Sequence, residues 1–267
     1  MKPVSFSYVA ARSLEEALAA LADGGEDAKP LAGGQSLVPA LNMRLVRPTL
    51  LVDLARAGLG GIERANGTVR VGATTRQVEL QRSEHCPQLA AEALPHVGHA
   101  ATRNRGTVGG SVAHADAAAE LPVCLAALGG SVVTDRRQLP AAEFFTGPYT
   151  TALEPGELVT ATLWPTAAGP CAFEELALRR GDFALSMVAV SGTRVAVGAV
   201  TDRPTVLHEV GALLAAGEPG DELAAEAGAL AASLVDPAGH LHASPAYLKH
   251  VTGVLVERAL RRAWTSG

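Results

Sequence analysis

Two glycine-rich segments, about seventy residues apart, constrain this chain more than anything else in it. The first is Leu31-Ala-Gly-Gly-Gln-Ser-Leu37; the second is Thr102-Arg-Asn-Arg-Gly-Thr-Val-Gly-Gly-Ser111, continuing to His114 and Asp116. Paired glycines beside small and hydroxylated residues let a backbone approach an anion closely and donate amide protons to it. In the first segment, Ser36 is placed to cap a short helix whose free amides would face the same anion. A single Gly-Gly pair is most often only a tight turn, but two such segments can clamp a diphosphate. Neither fits the dinucleotide fingerprint or the triphosphate-binding loop. Nor is either a nucleophile elbow, because Ser36 and Ser111 lack the glycine that must follow.

The remaining chemistry is sparse. Cys86, Cys124 and Cys171 are odd in number and widely spaced, which argues against a disulfide framework or an iron-sulphur cluster carried by this chain. His240 and His242 are alternate residues in a proline- and glycine-containing loop and read as solvated surface, so no metal site is expected. A net charge of −5 with scattered arginines excludes general attraction to nucleic acid. No apolar run approaches the ~20 residues of a membrane span. The start lacks the long apolar stretch of a secretory signal, so the chain reads as cytoplasmic. No nucleophile, base and acid stand in a recognisable arrangement.

The pattern divides into three regions. Residues 1–60 read as strand, helix, strand, short helix, strand, with a capping box at Ser13 and Glu16 and an apolar run Leu50-Leu-Val-Asp-Leu54. This is a small α/β lobe with its glycine segment at a strand end, where such folds bind ligands. Residues 61–166, after the joint Gly58-Leu-Gly-Gly61, form a second lobe. It has a strand at Thr68–Val71, a helix from Pro87 to Val97, the second glycine segment as a loop, a helix from Glu120 to Leu128, and strands at Ser131–Thr134 and Glu157–Trp164. Pro165 to Pro170 makes a boundary. Residues 167–267 then give three strands, at Ala172–Leu178, Met187–Val190 and Arg194–Val200, and three helices, the last opened by Ser244-Pro245.

Ala32-Gly-Gly-Gln-Ser36, then Arg103-Asn-Arg-Gly-Thr-Val-Gly-Gly-Ser111 and His114-Ala-Asp116, resemble the FAD-binding medium subunit of molybdenum hydroxylases, the carbon monoxide dehydrogenase and xanthine dehydrogenase flavoprotein family. Glu120-Leu-Pro122, Phe144-Phe-Thr-Gly147, Leu153-Glu-Pro-Gly-Glu-Leu158 and Arg179-Arg-Gly-Asp-Phe-Ala184 extend the resemblance in order along the whole chain. It implies an α+β fold: a two-lobed FAD-binding domain of the vanillyl-alcohol-oxidase/PCMH type, then a three-stranded antiparallel sheet with helices.

The resemblance implies an oxidoreductase, with non-covalent FAD held between the two glycine segments. The residues it places at the cofactor are Leu31, Ala32, Gly33, Gly34, Gln35, Ser36 and Leu37, and Thr102, Arg103, Thr107, Val108, Gly109, Gly110 and Ser111. Asp116, Glu120, Val159 and Asp182 complete the set. Arg103 and Arg105 either supply field to the diphosphate or are exposed or paired to Glu120. Asp116 and Glu120 repel phosphate, so they either accept from ribose hydroxyls or the adenine amine, or cap the helix at Glu120. Val159, like Val97 and Leu185, falls along the cofactor in the family pattern but is more simply read as core.

The implied assembly is a heterotrimer, usually doubled, with molybdopterin on a large subunit and two [2Fe–2S] clusters on a small one. This chain would pass their electrons through FAD to a small-molecule acceptor. A free-standing FAD-dependent oxidoreductase and a non-catalytic FAD-binding module are the alternatives.

Overall fold

The computed structural model describes residues 2–166, 169–239 and 241–266. The first lobe is β1 (Ser7–Ala10), α1 (Leu14–Gly24), β2 (Ala28–Leu31), α2 (Leu37–Asn42) and β3 (Leu50–Asp53). Ser13 caps α1 by accepting from the Glu16 amide, and the Glu16 carboxylate receives the Arg12 amide one residue before the cap. The three strands are parallel in the order β1-β3-β2, so Ala10, Asp53 and Leu31 stand abreast at their carboxyl ends. Side chains alternate along a strand. Val52 therefore joins Ala17 and Leu21 of α1 in one core, and Asp53 falls on the opposite face.

The second lobe runs β4 (Ile62–Ala65), β5 (Thr68–Gly72), α3 (Gln77–Arg82), α4 (Gln88–Ala93), α5 (Ala100–Arg105), α6 (Val108–His114) and α7 (Glu120–Ala127). It continues with β6 (Ser131–Thr134), β7 (Gln138–Pro140), α8 (Ala141–Phe144), β8 (Phe145–Gly147), β9 (Thr150–Thr151) and β10 (Val159–Pro165). Its main sheet is antiparallel in the order β4-β5-β10-β6-β7. The stretch from Thr102 to Ser111, expected as a loop, is instead two short helices joined at Gly106. Thr107 caps the second of them, its hydroxyl accepting from the Gly110 amide at 3.0 Å.

The C-terminal region holds β11 (Cys171–Ala177), β12 (Ala184–Ser191), β13 (Arg194–Gly198), β14 (Thr205–Val206), α9 (His208–Ala216), α10 (Asp221–Leu234) and α11 (Pro245–Ser266). Its antiparallel sheet has four strands in the order β11-β12-β13-β14, not three. The extra strand is two residues long, too short to show any period in sequence. One sheet face packs on α9 and α11, with α10 lying against those two helices; the other meets α4 and α7 of the second lobe. All eight residues of α7 are consequently buried, Glu120 included. Two residues of the expected boundary, Ala167 and Ala168, and His240 of the histidine pair lie outside the described residues.

Candidate functional site

The two glycine segments meet in space. A Cβ built on Gly33 would lie 2.6 Å from the Arg105 carbonyl oxygen, 2.7 Å from Gly106 Cα and 3.0 Å from the Thr107 nitrogen. These are backbone atoms that cannot swing aside, so only glycine permits the contact. Gly110 likewise comes close to Ala32.

A cavity of about 370 Å³ opens over this junction, lined by Leu31, Ala32, Gly33, Gly34, Gln35, Val38 and Pro39 together with Asp53, Ala55, Arg76 and Arg105. Among the described residues none accepts a hydrogen bond from the amides of Gly33, Gly34, Gln35, Ser36 or Leu37. Ser36 stands at the start of α2, but its hydroxyl makes no capping bond, against expectation. Gln35 folds its side-chain amide back onto the Gly33 carbonyl at 3.1 Å. Five successive uncommitted amides beside two guanidinium groups fit an anionic group such as a diphosphate.

The second glycine pair is different. Val108 donates to the Thr75 carbonyl at 3.0 Å, Gly109 to Ala73 at 3.0 Å, Gly110 to the Thr107 hydroxyl and Ser111 to the Thr107 carbonyl at 3.1 Å. Its amides are spent within the protein. Gly109 instead allows α6 to lie against Ala73, where an added Cβ would come within 2.5 Å of the Ala73 Cβ. The half-buried edge of Gly110 and Ser111 is what this segment presents toward Ala32.

The two arginines expected to act together are separated. They are two residues apart on α5, roughly 200° around a helix. Arg105 lines the first cavity, whereas Arg103 donates to Gln81 Oε1 and to the carbonyls of Val97 and Gly98. Arg103 also borders a second cavity of about 390 Å³ with Pro95, Gly98, His99, Ala100 and Arg180. Thr102 packs beside Gly98, and the turn carrying Asp182 reaches the same region, because Gly181 abuts the His99 ring. Asp182 itself is exposed. Val159, Val97 and Leu185 are buried core residues lining neither cavity.

Asp116 caps the turn before α7 by accepting from the Ala118 amide at 2.9 Å, and Tyr149 donates to it at 3.4 Å. Glu120 is buried at the start of α7; no ion pair joins it to Arg103 among the described residues. Burial, with help from Glu175 and Asp116, pushes its pKa up to about 8. Burial also pushes Glu175 up to about 7. Among the described residues no group of three or more His, Cys, Asp or Glu stands together as a metal site, and no helix is long and apolar enough to cross a membrane. The three cysteines are free thiols.

Asp53, Arg76, Val38 and Pro39 of the first cavity were not singled out from the sequence. An acidic residue closing an apolar run at a strand's carboxyl end is the signal that marks Asp53.

Residues 4–167 match the FAD-binding domain in molybdopterin dehydrogenase, and residues 172–263 match the CO dehydrogenase flavoprotein C-terminal domain. The chain is 40% identical over 286 aligned positions to the 6-hydroxypseudooxynicotine dehydrogenase complex subunit alpha of Paenarthrobacter nicotinovorans, covering 98% of this chain and 96% of that one. It is 35% identical to the carbon monoxide dehydrogenase medium chain of Hydrogenophaga pseudoflava, covering 99% of each. Among solved structures, quinoline 2-oxidoreductase from Pseudomonas putida 86 superposes with a TM-score of 0.94 at 35% identity, over 100% of this chain and 99% of that one.

Proposed function

The chain belongs to the FAD-binding medium subunits of the carbon monoxide dehydrogenase and molybdenum hydroxylase family, and from that premise we propose that it relays electrons. In this reading electrons reach it from [2Fe–2S] clusters on a small partner subunit, after substrate oxidation on a large molybdopterin subunit. They leave to an external small-molecule acceptor. The assembly is a heterotrimer, doubled, working in the cytoplasm, where free thiols such as Cys86, Cys124 and Cys171 persist. Residues 1–60 and 61–166 form the two lobes of the FAD domain and 167–267 the C-terminal domain.

The observation that carries the reading is the run of amides from Gly33 to Leu37 that find no acceptor among the described residues, the first three of them on residues that border the first cavity. These amides, with the Ser36 hydroxyl and the Arg76 and Arg105 guanidinium groups, would hold the FAD diphosphate; the Gly110–Ser111 edge closes the far side. When bound, FAD supplies one- and two-electron redox chemistry. The protein's part is to offset the diphosphate charge with dipoles already in place and to orient the cofactor between the lobes and the C-terminal sheet. Thr102, Arg103 and Asp182, around the second cavity, lie where the rest of the cofactor would extend. Met43 and Leu45, just after α2, are exposed apolar residues and suit a partner contact.

The test is the visible spectrum of the chain purified alone and with its partner subunits. Flavin absorbance that stays with the single chain, and bleaches on substrate addition only when iron-sulphur and molybdenum subunits are present, is the expected result. Flavin bleached by a small molecule with no partner present would favour a free-standing oxidoreductase. Flavin that is never reduced in any assembly would favour a non-catalytic module.

A further inference from the structure

We infer that Glu175 and His96, with Glu120 behind them, are a proton-transfer chain that supplies a proton as electrons arrive on the cofactor. The inference rests on the FAD reading above. Glu175 lies on β11 and His96 follows α4, so the pair joins the C-terminal sheet to the second lobe. The Glu175 side chain is 3% exposed and that of His96 42%, and Glu175 Oε1 lies 3.8 Å from His96 Nδ1. Glu175 Oε2 is buried with no hydrogen-bond partner among the described residues. Such a site disfavours a carboxylate and favours a carboxyl that keeps its proton. Glu120, at the start of α7, is also buried, and Glu175 helps to raise its pKa. His96 moves the other way: burial and the charge of Arg180 lower its pKa, Glu174 opposes them, and Arg262 adds to the lowering. Its ring therefore stays neutral and can relay a proton between water and Glu175.

The charges around this chain have other partners. Side chains alternate along β11, so Glu174 falls on the opposite face from Glu175 and meets Arg258 and Arg262 of α11. Arg262 also pairs with Glu92 of α4, Arg103 of α5 donates to Gln81 and to two carbonyls, Asp116 accepts from Ala118, and β12 carries no titratable side chain. The chain also stands beside the second cavity. Pro95, the residue before His96, lines it, as do Arg103 and Arg180, whose charges act on Glu120 and His96. A cofactor that gains two electrons there takes up a proton as well. The O–H bond of Glu175 or Glu120 breaks and its proton passes to the reduced cofactor, the electrons coming from the partner's clusters. The carboxylate left behind regains a proton from solvent through His96, one ring nitrogen accepting while the other donates. When the electrons leave, the proton returns along the same path. Transfer requires the 3.8 Å gap to close, as proton-transfer contacts do once a site is filled.

The experiment uses the full chain, wild type and the variants Glu175→Gln and His96→Phe, with circular dichroism and flavin content checked for each. In stopped flow, bleaching of the flavin by dithionite should slow in the wild type as pH rises through about 7, where Glu175 loses its proton, and should slow further in heavy water. Glu175→Gln should bleach about tenfold or more slowly below that pH and lose the pH dependence. His96→Phe should also be slowed, and imidazole added to the buffer should restore part of its rate. Infrared spectra of the flavin-free chain give a readout that does not depend on rate. The protonated-carboxyl band should weaken as pH rises through the same range, and Glu175→Gln should remove one component of it. A flat wild-type pH profile, bleaching unchanged in Glu175→Gln, or no protonated-carboxyl band at about pH 6 would each overturn the inference. Were Glu175→Gln unable to fold, the wild-type profile and band would still decide. A wild-type chain without flavin would sink the FAD reading and this one together, whereas normal flavin content with unchanged bleaching in Glu175→Gln would sink this one alone.

Discussion

The segments at Gly33–Gly34 and Gly109–Gly110 look alike in sequence and do opposite things. Each has two glycines followed, directly or after one residue, by a serine. In the first, five successive amides have no acceptor among the described residues, and Gly33, Gly34 and Gln35 border a cavity; in the second, the amides from Val108 to Ser111 are all bonded to protein oxygens. The first is an open donor surface, and the second is a tightly seated helix start whose glycines allow close approach to Ala73 and Ala32. Glycine is thus used in one place to bare the backbone and in the other to bury it. A motif of paired glycines says that the backbone comes close to something, without saying whether that is ligand or protein.

Substitutions can break or sharpen this contrast. Gly33→Val should have the largest effect, because its side chain would strike the Arg105 carbonyl and Gly106. Flavin absorbance per protein should be lost, with thermal unfolding shifted by only about 2 kcal/mol. Retained flavin would remove the open segment from the binding site.

The closed side is tested by Glu120→Gln. Glu120 and Glu175 hold protons more tightly when folded, with pKa values of about 8 and about 7 against 4.5. The folded state should therefore lose stability as pH rises from about 4.5 to 8. The glutamine variant should unfold at the wild-type temperature at pH 4 and be stabilised by roughly 4 kcal/mol at pH 8. Unchanged stability at pH 8 would mean that water reaches Glu120.

Gly109→Ala should cost about 2 kcal/mol through overpacking against Ala73 and leave flavin affinity within about threefold for a chain that refolds. Thr107→Ala, the mildest change, removes a helix cap and should cost about 1 kcal/mol by denaturant unfolding. If either variant lost flavin without losing stability, the second segment would be a direct ligand surface and the contrast would fall.

Much of the first lobe was legible because its signals are local. The Ser13–Glu16 capping box, the apolar run from Leu50 to Leu54 and the glycines after Leu31 each act over a few residues. The fourth strand of the C-terminal sheet was not legible, since Thr205 and Val206 carry no pattern until β13 pairs with them. The separation of Arg103 from Arg105 does not show in a glycine-rich segment with the composition of a loop; once it is a helix, spacing alone puts them on opposite faces. Val159 could be read either as cofactor contact or as core, and only its surroundings place it in the core.

The sequence by itself determined where backbone must come close and which residues carry charge, because glycine's freedom and a side chain's chemistry are properties of single positions. Which glycine pair leaves its amides unbonded was decided by tertiary structure alone. The Ala73 and Thr75 carbonyls that satisfy Gly109 and Val108 lie more than thirty residues away. A hydrogen bond needs its acceptor within about 3 Å, and that meeting exists only once the chain has folded.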